Sequence, residues 1–361
     1  MKIVFDYQIF YQQKYGGISN YFSCLALELN KLDAKIKIIS PIHKNENIEI
    51  LPKELVIGNK LFYPYKLNKY VDKLNHLLSS KILEKEKPEI IHKTYFSNKE
   101  ITSKAKKIIT YYDLTHELFS HNKDQNFIKL KKQNAFDADH IICPSNKVKK
   151  DIIDFHNLDP KKISVTYFSS NFEKINQLVV PSKKKFSNYL LFVGSRSGYK
   201  NFARFIKAFS ISKNLTKDFK ILVFGGENKK IEGLHLLKKY NLNENLIKFI
   251  EGTNNELSEI YKHVSALIYP SMYEGFGIPI IEAMRNGCPV ICSNGGALKE
   301  VGGDSLFYFE PTNVEDICNT IEKVVYSDLL IKKLVEYGLR RCDLFSWSKC
   351  AKETFEIYKN K

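Results

Sequence analysis

Two acidic residues with seven residues between them are the feature of this sequence best suited to chemistry. Glu274 lies in a glycine-rich turn after the apolar run Val264–Tyr269, and Glu282 lies in a predicted helix, Pro279–Asn286. Proline is tolerated at the first helical position, and a glycine such as Gly287 commonly follows a helix end. Because side chains near a helix start lean back toward its N-terminus, both carboxylates can border one small space.

The turn between the two acids also carries the backbone groups that an anion needs. Gly275, Phe276, Gly277 and Ile278 place backbone N–H groups beside the start of the predicted helix. Unpaired amides and the helix dipole attract anions such as phosphate, and the neighbouring carboxylates suit the hydroxyls of a sugar. We therefore predict a sugar-nucleotide site. The plain alternative is a Gly-Pro turn and a buried helix with two solvated acids.

Two cations occupy a second turn that could bind phosphate. Arg196 and Lys200 follow a predicted strand that ends at Gly194, and a predicted helix, Phe202–Ser212, comes next. Arginine offers a flat fork of donors to phosphate oxygens, and lysine offers a point charge. The spacing favours an anion-binding turn over an exposed basic loop.

A pair of glycines, Gly16-Gly17, follows the first predicted strand. Adjacent glycines let the backbone approach a ligand closely. The segment is not a GxGxxG dinucleotide fingerprint, and no acidic residue stands about twenty positions further on in a second strand. A simple strand-to-helix turn is the alternative.

Strands and helices alternate in a rhythm that places these segments at strand ends. Short β-branched runs alternate with amphipathic stretches over residues 1–180 and again over residues 187–345. Such alternation predicts a mainly parallel sheet covered on both faces by helices. The alternation of strands and helices is interrupted at Gln177–Asn188, which carries a proline and three consecutive lysines. We predict that this segment is the linker. We expect two Rossmann-like α/β domains.

These segments resemble the retaining glycosyltransferases of family 4. Glu274-Gly-Phe-Gly-Ile-Pro-Ile-Ile-Glu282-Ala-Met is similar to that family's E-x7-E signature, and Phe192–Asn201 and Tyr15–Tyr21 are similar to two further motifs. The resemblance spans nearly the whole chain. It implies the GT-B fold, an acceptor-binding domain 1–180 and a nucleotide-sugar-binding domain 187–345 across a cleft, with a last helix, 346–361, crossing back to the first domain.

The resemblance also implies roles for the residues. Glu282 would accept hydrogen bonds from the nucleotide ribose, and Glu274 would bind hydroxyls of the transferred sugar and stabilise positive charge near its anomeric carbon. Arg196 and Lys200 would bind the diphosphate and offset charge on the departing nucleotide. Gly16-Gly17 would lie under the donor phosphates. No covalent nucleophile is assigned.

A fourth segment, Thr110–Glu117, resembles the family only in part. Asp113 is expected to contact sugar or acceptor hydroxyls, but many relatives have His where this chain has Tyr112. Likewise, Asn20 stands where the common form has Arg. We expect His92 and His116 to be structural, and Ser145 to cap the helix that follows it.

Composition and charge limit the classes of partner. The net charge is +16, but only five of the 56 basic residues are arginine, and the excess is spread over both halves of the chain. Nucleic-acid binders usually cluster their charge and use arginine, so we expect no nucleic-acid partner. A diffuse lysine excess reflects background composition or a weak attraction to anionic lipid.

Compartment and metal use follow from what the sequence lacks. We expect no signal peptide, because Met1–Asp6 is predicted to be a strand. The sequence has no apolar run long enough to span a membrane and no CxxC pair among its seven cysteines. We expect a cytoplasmic protein with reduced, buried thiols, with peripheral contact at the inner face of the membrane left open. No DxD-like site stands near the motifs, so we expect no metal and no cofactor.

The leading hypothesis is a retaining glycosyltransferase that moves a hexose from a nucleoside-diphosphate sugar to a glycan or polyprenyl-linked glycan. The motif combination resembles bacterial O-antigen and capsule enzymes, and GDP-mannose is the first-choice donor. UDP-hexoses and dTDP-deoxyhexoses remain open. A sugar-nucleotide epimerase or hydrolase of the same fold, and a catalytically silent sugar-nucleotide-binding protein, are the alternatives.

Overall fold

The chain folds into two compact units. The computed structural model describes residues 1–99, 103–120, 124–175, 186–196, 198–225 and 230–360, without the side chains of 230–232. One unit comprises residues 1–168 with 346–361, and the other comprises residues 169–345. The division thus falls after Phe168, before the predicted linker Gln177–Asn188, most of which lies outside the described residues.

The first unit is built on a seven-stranded parallel sheet with the order β3-β2-β1-β4-β5-β6-β7. Most residues of its central strands are buried, which is the pattern of a sheet covered on both faces. The strands are β1 Lys2–Phe5, β2 Lys35–His43, β3 Val56–Lys60, β4 Ile90–Lys93, β5 Lys106–Thr110, β6 His140–Cys143 and β7 Ile163–Val165.

Helices follow most of these strands, and the C-terminal helix of the chain joins the same unit, where it packs on the second helix. Ser145 caps the helix after β6 by accepting a hydrogen bond from the Val148 N–H, as predicted. The helices of this unit are α1 Gln8–Gln12, α2 Gly17–Asn30, α3 Asn68–Glu86, α4 Thr115–Phe119, α5 Gln125–Asp137, α6 Asn146–His156 and, at the C-terminus, α15 Trp347–Lys359.

The second unit repeats this plan with a six-stranded parallel sheet in the order β10-β9-β8-β11-β12-β13. A dense aromatic and aliphatic core, including Phe192, Phe202 and Phe205, fills the space between the sheet and its helices. The strands are β8 Phe186–Val193, β9 Lys220–Phe224, β10 Ile247–Ile250, β11 Val264–Tyr269, β12 Val290–Ser293 and β13 Phe307–Phe309.

The helices of the second unit begin and end close to the positions that apolar periodicity predicts. The helix predicted at Pro279–Asn286 spans Ile278–Arg285, and the one predicted at Phe202–Ser212 spans Phe202–Ile211. The helices are α7 Phe202–Ile211, α8 Lys213–Asp218, α9 Lys230–Lys239, α10 Asn254–His263, α11 Ile278–Arg285, α12 Leu298–Gly302, α13 Val314–Val325 and α14 Asp328–Arg341.

In both sheets the strand order reverses direction beside the first strand of the unit. The reversal lies between β1 and β4 in the first unit and between β8 and β11 in the second. In open parallel sheets, ligands bind outside the carboxyl ends of the strands at such a reversal. The loops after these four strands are therefore the places to look for a site.

Candidate functional site

The loops that follow β8 and β11 are bonded to each other at the reversal point of the second sheet. The Met272 N–H donates to the Tyr199 carbonyl at 2.7 Å. The Asn201 side-chain amide donates to the carbonyls of Pro270 and Pro311, at 3.0 and 2.8 Å. These bonds fix the backbone on either side of Lys200 against the loop after β11.

The result is an ion pair between two of the predicted site residues. Lys200 Nζ lies 2.6 Å from Glu274 Oε1 and 3.5 Å from the Tyr269 hydroxyl. The side chains of Lys200 and Glu274 are only 16% and 12% exposed. Burial alone would lower the pKa of Lys200, but the Glu274 carboxylate and the nearby Tyr269 and Tyr199 together hold that pKa well above its usual range. Lys200 is therefore a fixed positive charge at the strand ends.

A turn of two glycines holds Glu274 in place from the other side. The Ala297 N–H donates to the Glu274 carbonyl at 2.8 Å. Gly296 has a φ of +61°, and a Cβ there would lie 2.3 Å from that same carbonyl oxygen. A Cβ on Gly295 would lie 2.2 Å from the Met272 carbonyl oxygen. Only glycine fits at these two positions, so the Gly295-Gly296 turn sets the position of the Glu274 backbone.

Glu282 has a different partner from Glu274. It lies in α11, which follows Gly277 with its φ of +102°, and its Oε2 accepts a hydrogen bond from the Tyr261 hydroxyl at 3.2 Å. Burial raises the pKa of Glu282 to about 7, against the opposing effect of the Tyr261 hydrogen bond. The Glu282 carboxyl thus titrates near neutral pH. The two acids of the E-x7-E segment therefore have different partners, Lys200 for Glu274 and Tyr261 for Glu282.

Arg196 lies after β8 as predicted, but its contacts are with the ends of β9 and β10. Its side chain is buried, Nη1 donates to the Gly225 carbonyl at 3.0 Å, and the guanidinium lies 5.3 Å from the centre of the Phe249 ring. Lys200, by contrast, contacts the loop after β11. Sequence reasoning missed Phe249, Tyr261 and Tyr269 as neighbours of the charged residues. Only Tyr269 carried a signal, as the last residue of a strand that leads into the motif.

In the first unit, the Gly16-Gly17 pair leads into α2. The Gly16 carbonyl accepts from the Ser19 hydroxyl at 3.1 Å and from the Asn47 amide at 3.4 Å. A Cβ added to Gly17 would meet no atom within 4 Å. Packing within the protein therefore does not explain the glycine at position 17, whereas room for a ligand would.

Asp113 lies between β5 and α4. Its Oδ1 accepts from the Thr115 N–H at 2.9 Å and from the Thr115 hydroxyl at 2.6 Å, and its carbonyl accepts from Lys131 Nζ at 2.9 Å. The preceding Tyr112 donates its hydroxyl to the Thr94 carbonyl at 2.7 Å, which joins the ends of β5 and β4. Tyr112 thus has a structural contact within the first unit.

The histidines predicted to be structural have protein partners. His92 is fully buried between the Tyr358 hydroxyl, at 2.5 Å from Nδ1, and the Thr110 hydroxyl, at 2.8 Å from Nε2. Burial lowers the pKa of His92 to about 3, so it stays neutral. The prediction is confirmed for His92. His116 lies 3.1 Å from an Asp124 carboxylate oxygen, with both side chains 40% exposed.

A buried polar network behind Asp113 escaped the sequence analysis. Lys131 Nζ lies 2.7 Å from Glu117 Oε2, and the Tyr111 hydroxyl donates to Glu117 Oε1 at 2.6 Å and lies 2.7 Å from His156 Nε2. The charged pair is almost inaccessible, at 2% and 0% exposure. Because Lys131 also binds the Asp113 carbonyl, the network anchors the loop that carries Asp113.

Comparison with known protein families assigns both units. Residues 15–168 match the family described as Glycosyltransferase Family 4, and residues 173–341 match the one described as Glycosyl transferases group 1. The chain belongs to glycosyltransferase family 4. The Gly16-Gly17 segment lies in the first match, and Arg196, Lys200 and the E-x7-E segment lie in the second.

Individual relatives of this glycosyltransferase carry related names. It is 27% identical over 267 residues to O-antigen chain mannosyltransferase B of Escherichia coli, an alignment that covers 70% of each chain. It is 33% identical over 214 residues to O-antigen chain mannosyltransferase RfbU of Salmonella typhimurium, over 58% of each chain. The alignment thus spans a little more than half of the RfbU protein.

A solved structure confirms the expected fold class. The Anabaena protein HepE in complex with UDP and glucose is similar over 100% of both chains, with a TM-score of 0.79 at 16% identity. The glycosyltransferase therefore has the predicted α/β GT-B fold with two Rossmann-like domains. Within the residues that the structure describes, no helix is both long and apolar enough to cross a membrane.

Proposed function

We propose that this glycosyltransferase moves a hexose, with mannose from GDP-mannose as the first choice, onto a glycan or polyprenyl-linked glycan during synthesis of a bacterial surface polysaccharide. The observation that carries the proposal is the Lys200–Glu274 pair at the reversal point of the second sheet, where a parallel sheet offers its ligand site. The names of the relatives, two O-antigen chain mannosyltransferases, support the choice of sugar and pathway.

The donor would bind along the strand ends of the second unit. Lys200 and Arg196 would bind the diphosphate, and the backbone from Gly275 to Ile278, with Phe276 and Gly277 between them, would pass close to its oxygens. Glu282 would accept hydrogen bonds from the ribose hydroxyls, at about 1.5–3 kcal/mol for each charge-assisted bond. Glu274 would bind hydroxyls of the sugar.

Catalysis in this proposal is electrostatic. Breaking the bond between sugar and phosphate places negative charge on the departing nucleotide and positive charge on the anomeric carbon. Fixed charges at the points where charge develops are usually the largest contribution to catalysis. The buried Lys200 ammonium would stabilise the departing phosphate, and the Glu274 carboxylate would stabilise the sugar. We propose that transfer retains the anomeric configuration and requires no divalent metal, which activity in excess EDTA would test.

The first unit would bind the acceptor. Gly17 leaves open space at the start of α2, where a donor phosphate or an acceptor could approach, and Asp113 follows a strand end with its carboxylate partly exposed. Asp113 would contact a hydroxyl of the sugar or of the acceptor. A polyprenyl-linked acceptor would place the enzyme in the cytoplasm, at the inner face of the membrane.

A thermal-shift screen against GDP, UDP, TDP and their sugars tests the donor site. A ligand at 100 times its dissociation constant should stabilise the protein by about 2.7 kcal/mol. GDP and GDP-mannose should give the largest shifts. A response to UDP compounds alone would mean that the donor is a UDP-sugar and would leave the proposed enzyme class unchanged. No response to any nucleotide would contradict the proposal. Sugar release at equal rates with and without acceptor would instead indicate a hydrolase.

A further inference from the structure

The first unit exposes a concentrated apolar surface along α3 and the segment before it. Phe62, Tyr65 and Tyr70 are 79%, 83% and 71% exposed, and Leu74, Leu77 and Leu78 are also exposed. Tyr70, Leu74 and Leu77 stand at i, i+4 and i+7, the spacing of one helical face. We call these six residues the outward surface of α3. Large exposed apolar side chains that gather on one element mark an interaction site.

The orientation of α3 is fixed by hydrogen bonds on its opposite face. The Asn75 side chain accepts from the Ile42 N–H at 2.7 Å and donates to the Ile42 carbonyl at 2.8 Å, so it pairs with the backbone of β2. The Tyr7 hydroxyl donates to Asp72 Oδ1 at 3.1 Å. The buried face of the helix thus includes the polar residues Asn75 and Ser79 beside Val71 and Leu83. Leu74, Leu77 and Leu78 face solvent, which is unusual for a surface helix.

Lysines interleave with the outward surface. Lys66, Lys69, Lys73, Lys81 and Lys85 are all exposed. Among the described residues, no carboxylate lies within ion-pair distance of Lys66, Lys69 or Lys73, so their charge is available to a partner. A second copy of the chain would bring like charges together, which opposes self-association through this surface.

We propose that the outward surface of α3 docks the enzyme on a membrane that contains anionic lipid. Helices that lie in a membrane interface combine an apolar face with lysines that reach the headgroups, and tyrosine and phenylalanine lie well at the boundary between the two. Each lysine near an anionic surface should strengthen binding roughly fivefold. The inference rests on the proposed function only in that a lipid-linked acceptor would be met at such a surface; its physical basis is the surface itself.

Co-sedimentation of the full chain with vesicles tests the proposal. Vesicles of phosphatidylcholine with one quarter phosphatidylglycerol should bind the protein, and pure phosphatidylcholine should bind it weakly. Replacing the three unpaired lysines, Lys66→Glu, Lys69→Glu and Lys73→Glu, should weaken binding by roughly a hundredfold. Replacing the three aromatic residues, Phe62→Ser, Tyr65→Ser and Tyr70→Ser, should remove the binding that persists in high salt.

A matched control carries the same charge change on the second unit, at exposed positions Lys207→Glu, Lys213→Glu and Lys217→Glu, and should bind vesicles as the wild type does. Equal loss in this control, or no binding of the wild type to anionic vesicles, would overturn the proposal. The proposal would also be overturned if the wild type were a dimer that does not bind vesicles and the aromatic variant were a monomer. Nucleotide thermal shifts should be unchanged in the α3 variants. If nucleotides shift the melting temperature of the wild type but vesicles do not bind it, the membrane-docking proposal is contradicted and the proposed function is not. If vesicles bind the wild type but no nucleotide shifts its melting temperature, the proposed function is contradicted and membrane docking is not.

Discussion

The Lys200–Glu274 ion pair couples the stability of the second unit to its chemistry. Both side chains are mostly buried, and each is the nearest opposite charge of the other at 2.6 Å. Removing one partner leaves the other charge buried and unpaired, which is more damaging than removing both. Comparing the single variant with the double variant therefore distinguishes a loss of stability from a loss of activity.

Lys200→Met should lower the free energy of unfolding by about 3 kcal/mol, because it leaves the Glu274 carboxylate without its counter-charge. The double variant Lys200→Met/Glu274→Gln should recover most of that loss and remain inactive. Urea denaturation with a transfer assay on the same samples measures both effects. Wild-type stability in the single variant would mean that the pair is not held as the structure shows it.

The pKa of Glu282 makes donor binding depend on pH. Burial raises this pKa to about 7, and a ribose diol needs the ionised carboxylate as its acceptor. The affinity for a sugar nucleotide should therefore fall about tenfold between pH 8 and pH 6, as the ionised fraction falls. Isothermal titration calorimetry across this range tests the prediction.

Two variants serve as controls for the Glu282 titration. Glu282→Gln should bind more weakly and with no pH dependence over the same range. Tyr261→Phe removes the hydrogen bond that favours the ionised form, so the loss of affinity should begin at a higher pH. A pH dependence that persists in Glu282→Gln would assign the titration to another group.

The buried network behind Asp113 should contribute to stability in a pH-dependent way. Burial alone would raise the pKa of Glu117, but hydrogen bonds from His156, Lys131 and Tyr111 lower it to about 2. A carboxyl with a depressed pKa in the folded state stabilises the fold above its unfolded pKa of about 4.5, and this contribution, about 3 kcal/mol, is lost as pH falls toward 2.

Glu117→Gln should remove this contribution at pH 7 and flatten the acid limb of the stability profile between pH 4.5 and pH 2. Denaturation midpoints across that range provide the measurement. Glu28→Gln, which removes a surface pair with Lys31, should change stability by less than about 1 kcal/mol. Equal effects of the two substitutions would show that the network does not act as a buried charge cluster.

At the scale of elements, the site depends on backbone approaches that only glycine allows. Gly296→Ala must displace the Glu274 carbonyl and adopt a strained φ, so it should cost at least about 1–3 kcal/mol and weaken donor binding. Gly17→Ala meets open space, so it should leave the unfolding free energy within about 1 kcal/mol while it still impairs ligand binding. Denaturation and nucleotide titration of the two variants distinguish these outcomes, and wild-type stability in Gly296→Ala would contradict the packing described here.

Local stop and start signals predicted α11 to within one residue at each end, because Pro279 is its second residue and Gly287 follows two residues after its end. Asn313 caps α13 by accepting from the Asp316 N–H, while the Asp316 side chain accepts from the Glu310 N–H and does not complete a reciprocal cap. The strand β3 has a weak local signal, because its sequence, VIGNK, has two apolar residues followed by a glycine.

Other features have no local signal at all. Tyr261 reaches Glu282 from α10, and Phe249 reaches Arg196 from β10, so both contacts arise from tertiary packing. The three- and four-residue spacing of apolar residues in α3 is typical of a helix. It does not indicate which face is buried, because the bonds of Asn75 to β2 set that face. The predicted linker, Gln177–Asn188, lies mostly outside the described residues and stays a prediction.

At the scale of the whole molecule, two parallel-sheet units place complementary chemistry at their strand ends. The second unit holds fixed charges suited to a nucleoside diphosphate and a sugar, and the first holds Gly17 at the start of α2 and Asp113 between β5 and α4. All seven cysteines are thiols rather than disulfides, and six of them are buried, as the sequence predicts. In the proposed membrane docking, part of the net charge of +16 attracts anionic lipid, through the lysines that border the outward surface of α3.

The central claim is that the Lys200–Glu274 pair marks the sugar-nucleotide site, and a calorimetric titration of GDP-mannose into two proteins tests it most directly. The wild type should bind the sugar nucleotide at one site. The double variant Lys200→Met/Glu274→Gln, shown by urea denaturation to be folded, should bind at least about a hundredfold more weakly, because it lacks two charge-assisted contacts. Equal affinity of the two proteins for the sugar nucleotide would contradict the account.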